Sequence, residues 1–234
     1  MEYFYTPSSF IRGEDLLIEG DEFAHLTHVM RKTAGDSLRV VDGEGHAYDV
    51  TISEISKRSA RCAITKRHDG LHEPGIDVTV AVGVLKNSSK FDFIVEKATE
   101  IGVNAIVPLV TERTIPHHAK VDRWQKLALA AMKQSGRCVL PSIRPLTPFP
   151  IFLRSIPPVA SKFIPHEKVD ASSPLSTIKT RVLTPVIICI GPEGGFSDQE
   201  ITAAEQAGFV PVSLGSRRLR TETAPVVAAS AVLL

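Results

Sequence analysis

The sequence predicts an α/β protein in which a small β-rich domain precedes a larger domain built on a parallel sheet. Residues 1–72 contain short stretches that alternate apolar and polar side chains, which is typical of strands with one buried face. Beyond them, apolar runs alternate with helical patterns, and this alternation indicates a parallel sheet. The intervening segment 69–75 is polar and contains two Gly and one Pro. We therefore predict domains at 1–72 and 73–234.

Two strands of the first domain are predicted at 37–41 and 47–52. They flank Asp42-Gly43-Glu44-Gly45, a sequence typical of a hairpin turn. We therefore expect these strands to pair antiparallel.

The second domain begins with an apolar run at 78–85, which predicts a strand. A helical pattern follows from Lys90, and Gly102 is a typical helix stop. Residues 105–110 predict a second buried strand. Asp122 is the expected N-cap of the next helix, which carries a stripe of apolar residues: Val121, Trp124, Ala128 and Ala131.

Residues 141–185 are rich in Pro and Ser, and only one strand, near 159–164, is predicted there. Regular patterns return afterwards, because residues 186–190 form a β-branched run. The remaining elements are a helix from Ser197 or Asp198 to Gly208, a strand at 209–214 and a final helix at 224–234.

Composition excludes several classes of protein. The chain of 234 residues is 43% hydrophobic and 23% charged, a globular balance. It has no apolar stretch approaching the roughly 18 residues of a membrane span and no secretory leader pattern. The three Cys residues are far apart and fit neither a disulfide framework nor a zinc site. We therefore expect a cytoplasmic protein without membrane contact or bound metal.

The formal net charge is only +1, but positive charge is unevenly distributed. Residues 1–72 carry 9 Lys and Arg against 12 Asp and Glu, whereas residues 73–234 carry 18 against 14. The excess in residues 73–234 includes two clusters of basic side chains that could bind phosphates. One consists of Lys120, Arg123, Lys126, Lys133, Arg137 and Arg144, and the other of Arg217, Arg218 and Arg220.

The loop at 191–195, Gly-Pro-Glu-Gly-Gly, follows a predicted strand, and ligands of parallel sheets bind at the carboxyl ends of strands. Its glycines allow the backbone to approach a ligand closely. Glu193 disfavours a phosphate, and no phosphate-binding glycine motif occurs in the chain. A ligand without phosphates, such as S-adenosylmethionine, is compatible with this loop. A tight turn without any ligand is the alternative.

The loop from Leu214 to Ala224 places three guanidinium groups beside Gly215. Arginine side chains can bind phosphates or stabilise a developing oxyanion. The alternative is a solvated basic turn that pairs with Glu222.

Five segments in order resemble the ribosomal RNA small subunit methyltransferase E family, within the SPOUT superfamily of knotted methyltransferases. They are Phe23-Ala24-His25 with Val29-Met30-Arg31 and Gly35-Asp36, residues 96–103 (EKATEIGV), residues 134–137 (QSGR), residues 191–196, and residues 214–224. The resemblance spans nearly the whole chain. It implies an N-terminal PUA-like β-barrel that binds RNA and a C-terminal α/β domain tied into a trefoil knot.

The resemblance also implies a homodimer that uses S-adenosylmethionine to methylate N3 of a uridine in 16S rRNA, within the small ribosomal subunit. By position, the cofactor site comprises Ile190, Gly191, Pro192, Glu193, Gly194, Leu214, Gly215 and Leu219. For catalysis we expect Arg220 first and Arg217 second to stabilise charge on the base, with Glu222 orienting an arginine or accepting the proton.

The residues expected to bind RNA are Arg31, Arg123, Lys133, Arg137 and Arg218. Two of them depart from the family pattern, because Arg218 replaces an apolar residue and Lys133 replaces a Glu. Two other functions stay open: methylation of transfer RNA or large-subunit RNA, and a non-catalytic RNA-binding assembly factor of the same fold. A nucleotide hydrolase is disfavoured because the phosphate-loop patterns are missing from the sequence.

Overall fold

The computed structural model describes residues 3–166 and 185–234. The chain forms two compact units, of which the first comprises Met1–Glu73 with Leu129–Leu140 and the second Pro74–Ala128 with Pro141–Leu234. The first unit thus takes up a segment that lies far beyond residue 72. Among the described residues, no helix has both the length and the apolar character needed to cross a lipid bilayer.

The first unit is built on a six-stranded sheet with the order β1-β4-β5-β6-β3-β2. Strand β1 runs parallel to β4, and the other neighbours are antiparallel. A short helix, α1 (Gly20–Ala24), follows the third strand. The strands are β1 (Tyr3–Tyr5), β2 (Ile11–Arg12), β3 (Asp15–Glu19), β4 (Ser37–Val41), β5 (His46–Ile55) and β6 (Ser59–Asp69).

The predicted hairpin at residues 42–45 is confirmed. Strands β4 and β5 pair antiparallel up to Val41 and Ala47. Gly43 and Gly45 adopt φ angles of 77° and 105°, in the left-handed region that favours glycine. The local sequence therefore fixes this turn.

One hydrophobic core serves nearly the whole sheet of the first unit. Five strands contribute side chains that are at most 1% exposed, among them Phe4, Leu16, Val40, Ile52 and Cys62. Because residues from distant strands of the sheet share one core, the sheet curves around it.

The second unit is built on a seven-stranded sheet in which every strand pair is parallel. Its order is β10-β8-β7-β12-β11-β13, and β9 also pairs with β8. The strands are β7 (Val78–Gly83), β8 (Ala105–Val110), β9 (Ser142–Ile143), β10 (Thr147–Pro148), β11 (Ser161–Pro165), β12 (Val186–Ile190) and β13 (Val210–Val212). The helices are α2 (Ser88–Glu100), α3 (Val121–Ser135), α4 (Phe149–Ser155), α5 (Asp198–Gln206) and α6 (Ala224–Leu233). Helix α3 belongs to the second unit up to Ala128 and to the first unit from Leu129.

The predicted strands at 105–110 and 186–190 coincide with β8 and β12. Helix α2 begins two residues before Lys90, because the Asn87 side chain accepts a hydrogen bond from Ser89 N at 3.0 Å and caps the helix. The predicted N-cap at Asp122 is wrong. Helix α3 already begins at Val121, and Trp124 N donates to the Lys120 carbonyl, so Asp122 lies inside the first turn.

Three elements of the Pro-rich stretch were not predicted: β9, β10 and α4. They are short, and their sequences lack a clear period. The predicted strand near 159–164 is confirmed as β11. Residues 167–184 of the same stretch lie outside the described residues.

Candidate cofactor pocket

Two loops meet beyond the carboxyl ends of the parallel strands. One follows β12, and the other follows β13. They enclose a cavity of about 760 Å³, within the usual range of small-molecule sites. The cavity is lined by every residue predicted to bind the cofactor: Ile190, Gly191, Pro192, Glu193, Gly194, Leu214, Gly215 and Leu219.

The first loop packs tightly against itself and against the sheet. Gly195 N donates to the Pro192 carbonyl at 2.8 Å, and a Cβ atom on Gly191 would lie 2.9 Å from the Gly195 carbonyl carbon. A Cβ atom on Gly83, at the end of β7, would lie 2.6 Å from Pro192 Cδ. Glycine is thus required at both positions. Gly83 was missed from the sequence because its neighbour is more than a hundred residues away.

Two side chains hold the first loop in place. The Glu193 carboxylate accepts a hydrogen bond from the backbone N of Lys86 at 3.1 Å. Arg113 Nη1 donates to the Gly194 carbonyl at 2.7 Å. Glu193 therefore ties the loop to the segment after β7. Arg113, which sequence analysis did not identify, does the same from the segment after β8.

The second loop turns at Ser213, whose Oγ accepts a hydrogen bond from Gly215 N at 3.1 Å. Gly215 has a φ of 106°, a conformation that favours glycine. The next residues place exposed guanidinium groups along the cavity wall: Arg217, Arg218 and Arg220.

Glu222 closes this wall, and its side chain is only 15% exposed. Its Oε2 lies 3.1 Å from Lys90 Nζ in the first turn of α2, and its Oε1 lies 3.9 Å from Arg220 Nη1. A hydrogen bond from its own backbone N–H, together with Lys90 and Arg220, holds the pKa of the Glu222 carboxyl below its ordinary value. Lys90 also lines the cavity and was missed. The signal that could have found it is its place in the first helical turn after β7.

The comparisons with known proteins identify the family. Residues 72–233 match the family model of an RNA methyltransferase domain, and residues 18–65 match that of an RNA methyltransferase PUA domain. Ribosomal RNA small subunit methyltransferase E of Synechocystis sp. is 33% identical over 208 residues, which covers 87% of this chain and 68% of the relative. The protein of the same name from Buchnera aphidicola is also 33% identical, over 91% of this chain and 85% of the relative. This chain belongs to the ribosomal RNA small subunit methyltransferase E family.

A crystal structure of this family, the Neisseria gonorrhoeae protein bound to S-adenosyl methionine, has a TM-score of 0.88 with this chain at 31% identity. The match covers 99% of this chain and 96% of that chain. The predicted fold class, a parallel α/β domain preceded by a PUA-like domain, is confirmed. The trefoil knot stays a prediction, because residues 167–184 between β11 and β12 lie outside the described residues.

One RNA contact expected for this methyltransferase E family member is wrong. The Arg137 side chain is 2% exposed, and its Nη2 lies 2.7 Å from Glu73 Oε2. Glu73 Oε1 also accepts hydrogen bonds from the backbone N of Cys138 and of Val139, each at 2.9 Å. Arg137 is thus buried within the first unit, where it stabilises the segment that follows α3.

The other predicted RNA contacts are divided between the two units. In the first unit, Arg31 is exposed with a φ of 52°, and Lys133 pairs with Glu22. In the second unit, Arg123 Nη2 lies 2.8 Å from Asp92 Oδ2, and Arg218 lines the cofactor cavity. Charge counting along the sequence missed such partners, because Asp92 and Glu22 come from distant segments.

Proposed function

We propose that this protein transfers the methyl group of S-adenosylmethionine to N3 of a uridine in 16S rRNA. The observation that carries the proposal is the cavity between the two loops, in a member of the methyltransferase E family, with three arginines and the Lys90–Glu222 ion pair on its wall. Arg220 and Arg217, the proposed catalytic residues, and Glu222, the proposed positioning residue, all line this cavity.

The residues of the cavity fit the cofactor. Backbone atoms near Gly191 and Gly215 can approach a ligand closely, because neither residue has a side chain. Carboxylates at Glu193 and Glu222 lie on the wall, and their negative charge favours a ligand with a cationic sulfur beside them. We assign cofactor binding to the residues predicted from the sequence, with the apolar side chains of Ile190, Leu214 and Leu219 as walls. When bound, S-adenosylmethionine supplies an electrophilic methyl group on a sulfonium.

Arg220 is the proposed catalytic residue. Its side chain is 82% exposed at the cavity, so it is free to contact a base that enters from solvent. When uracil loses the N3 proton, negative charge spreads to the flanking carbonyl oxygens, and a guanidinium beside them stabilises that charge. Arg217, on the same wall, is a second donor for this charge.

Glu222 is the proposed positioning residue. Its lowered pKa makes it a weak base, so it holds cations rather than accepting the N3 proton. It lies nearer to Lys90 than to Arg220. We therefore infer that Lys90 orients the Glu222 carboxylate, which in turn restrains Arg220. The N3 proton passes to solvent.

The substrate must present an unpaired or flipped uridine, because pairing occupies N3. We propose that residues 1–72 bind the surrounding RNA, that 73–234 perform catalysis, and that the remaining RNA contacts are Arg31, Arg123, Lys133 and Arg218. The proposal includes a cytoplasmic homodimer that acts on the small ribosomal subunit, whose oligomeric state sedimentation equilibrium would establish.

Two measurements test this function. Calorimetric titration with S-adenosylhomocysteine should show saturable binding with one site per chain. Incubation with separated small subunits, large subunits and transfer RNA, followed by mass spectrometry of nucleosides, should yield 3-methyluridine from the small-subunit RNA alone. Methylation of another fraction would change the substrate assignment. Folded protein that binds neither product nor cofactor would favour the RNA-binding assembly factor.

A further inference from the structure

A second cavity, of about 260 Å³, lies in the second unit on the other side of the segment that follows β7. Its apolar lining includes Val84, Leu85, Ile115 and Pro116. Phe91 and Trp124 form the rigid floor of the cavity. Their rings stack at a centroid distance of 4.1 Å, and Trp124 Nε1 donates a hydrogen bond to Asp92 at 3.0 Å. The Trp124 side chain itself is held in the core, as only 1% of the residue is exposed.

The rim of this cavity is basic. Among its described lining residues, the titratable side chains are those of Lys86, His118 and Lys120, and none is acidic. All three are exposed. Lys120 Nζ donates to Ser88 Oγ at 3.2 Å, so one ammonium group is already positioned at the edge. Ile115, 67% exposed, places an apolar side chain in solvent beside these cations.

The two cavities share a boundary. The backbone N of Lys86 donates to Glu193, which lines the cofactor cavity, whereas the Lys86 residue lines the second one. The first turn of α2 separates them as well, because Lys90 lines the cofactor cavity and Phe91 the second. A chain of nucleotides that passes over this boundary would reach both.

We propose that the second cavity binds one unstacked nucleotide of the RNA substrate, next to the nucleotide that is methylated. An apolar cavity ringed by cations suits a nucleotide, since the base leaves water and its phosphates contact ammonium groups. Single-stranded segments of RNA can place a base in this way, whereas paired segments cannot. This inference rests on the proposed function, because it assumes that RNA enters at the cofactor cavity.

The chain offers its own reporter for this site, because Trp124 is its only tryptophan. A short single-stranded oligouridylate is titrated into protein saturated with S-adenosylhomocysteine while tryptophan fluorescence is followed. The wild-type protein should show a saturable change. The double variant Lys86→Gln, Lys120→Gln should bind at least about ten-fold more weakly, and its salt slope should fall by roughly 1.4, or roughly 0.7 for each lost phosphate contact.

Lys126→Gln is the matched control, because Lys126 is exposed on α3 but does not line the cavity. It should leave the titration nearly unchanged. Ile115→Glu is a second variant, which places a carboxylate at the rim and should weaken binding without disturbing a buried residue. In methylation assays, both the double variant and Ile115→Glu should raise KM for the RNA and leave kcat and product affinity unchanged.

Equal oligonucleotide affinity in wild type and double variant would overturn the assignment, as would RNA binding without any change in tryptophan fluorescence. The proposed function fails by a different result, namely wild-type protein that methylates no RNA. A wild type that methylates RNA, with variants that behave identically to it, would reject the second cavity alone.

Discussion

Lys90 and Glu222 form an ion pair, with Nζ 3.1 Å from Oε2, that joins the first turn of α2 to the wall of the cofactor cavity. The two residues come from opposite ends of the second unit. Their contact links the helix that follows β7 to the loop that follows β13. This ion pair holds the arginine loop, residues 214–224 with Arg217, Arg218 and Arg220, against helix α2.

Replacement of Lys90 by Met should lower kcat by about ten-fold, because a lost charge-assisted contact costs roughly 1.5–3 kcal/mol and partial exposure places it at the lower end. Lys90→Arg keeps the charge and should retain most of the rate. Affinity for S-adenosylhomocysteine should be unchanged in both. Single-turnover methylation measures the rate, and calorimetry measures the affinity. An equal loss of rate in both variants would show that the positive charge at residue 90 does not determine kcat.

Arg220→Ala should reduce turnover by about 100- to 1,000-fold, the usual effect of removing one donor to a developing oxyanion. Product affinity should stay nearly the same, since the Arg220 side chain points into exposed space at the cavity. The matched control is Arg218→Ala, which removes a neighbouring guanidinium and should affect KM for the RNA instead. Normal turnover in Arg220→Ala at saturating substrate would move the catalytic role to Arg217.

The dependence of kcat on pH separates the two roles considered for Glu222. Because its pKa is lowered, the carboxyl is protonated only in acid and stays charged throughout the neutral and alkaline range. A rise of kcat between neutral and alkaline pH is then assigned to N3 of the substrate. Glu222→Gln should therefore lower kcat throughout the neutral and alkaline range and keep the same rise. A rise toward alkaline pH that appears only in this variant, over a flat wild-type profile, would identify Glu222 as the proton acceptor.

Gly191→Ala should weaken binding of S-adenosylhomocysteine by about 5- to 150-fold, because the new methyl group would lie 2.9 Å from the Gly195 carbonyl carbon and such crowding costs about 1–3 kcal/mol. Gly75→Ala is the control, since nothing lies within 4 Å of a Cβ atom there. Calorimetry gives the affinities, and thermal melts report the fold. Equal affinity in both variants would mean that the first loop does not shape the site.

Glu73→Ala should lower the free energy of unfolding by about 3–5 kcal/mol, because it leaves the buried Arg137 guanidinium without its carboxylate. Arg123→Met breaks a pair whose Arg side chain is 60% exposed, and should change stability by at most about 1 kcal/mol. Urea unfolding compares the two. Similar small effects would return Arg137 to the group of possible RNA contacts.

Sequence patterns correctly predicted the strands and turns that neighbouring residues determine. Strands β8 and β12 were bounded correctly because buried β-branched runs end at turn residues, and the hairpin at Gly43 followed from its glycines. Both cavity loops were also found, since they follow strands at the carboxyl edge of the sheet, whereas the individual cofactor residues within them came from the family resemblance.

The sequence could not predict partners that come from far along the chain. Nothing in the local sequence shows that Lys90 contacts Glu222 or that Gly83 contacts Pro192, because the fold brings these pairs together. Arg137 resembled a free cation for the same reason, because Glu73 precedes it by more than sixty positions. Side chains whose roles depend on tertiary contacts were thus missed or assigned to RNA.

The bond between Lys86 N and Glu193 joins residues 107 positions apart, so it has a consequence during synthesis. At about 5–20 residues per second, roughly 5–20 seconds pass between the appearance of the two residues on the ribosome. During that interval β7 has been synthesised but the loop at 191–195, which packs against it, has not. The arginine loop, residues 214–224, is synthesised later still. The cavity for the methyl donor is therefore complete only after the loop that follows β13 has been translated, and a transcript cut short before that point yields a chain without it.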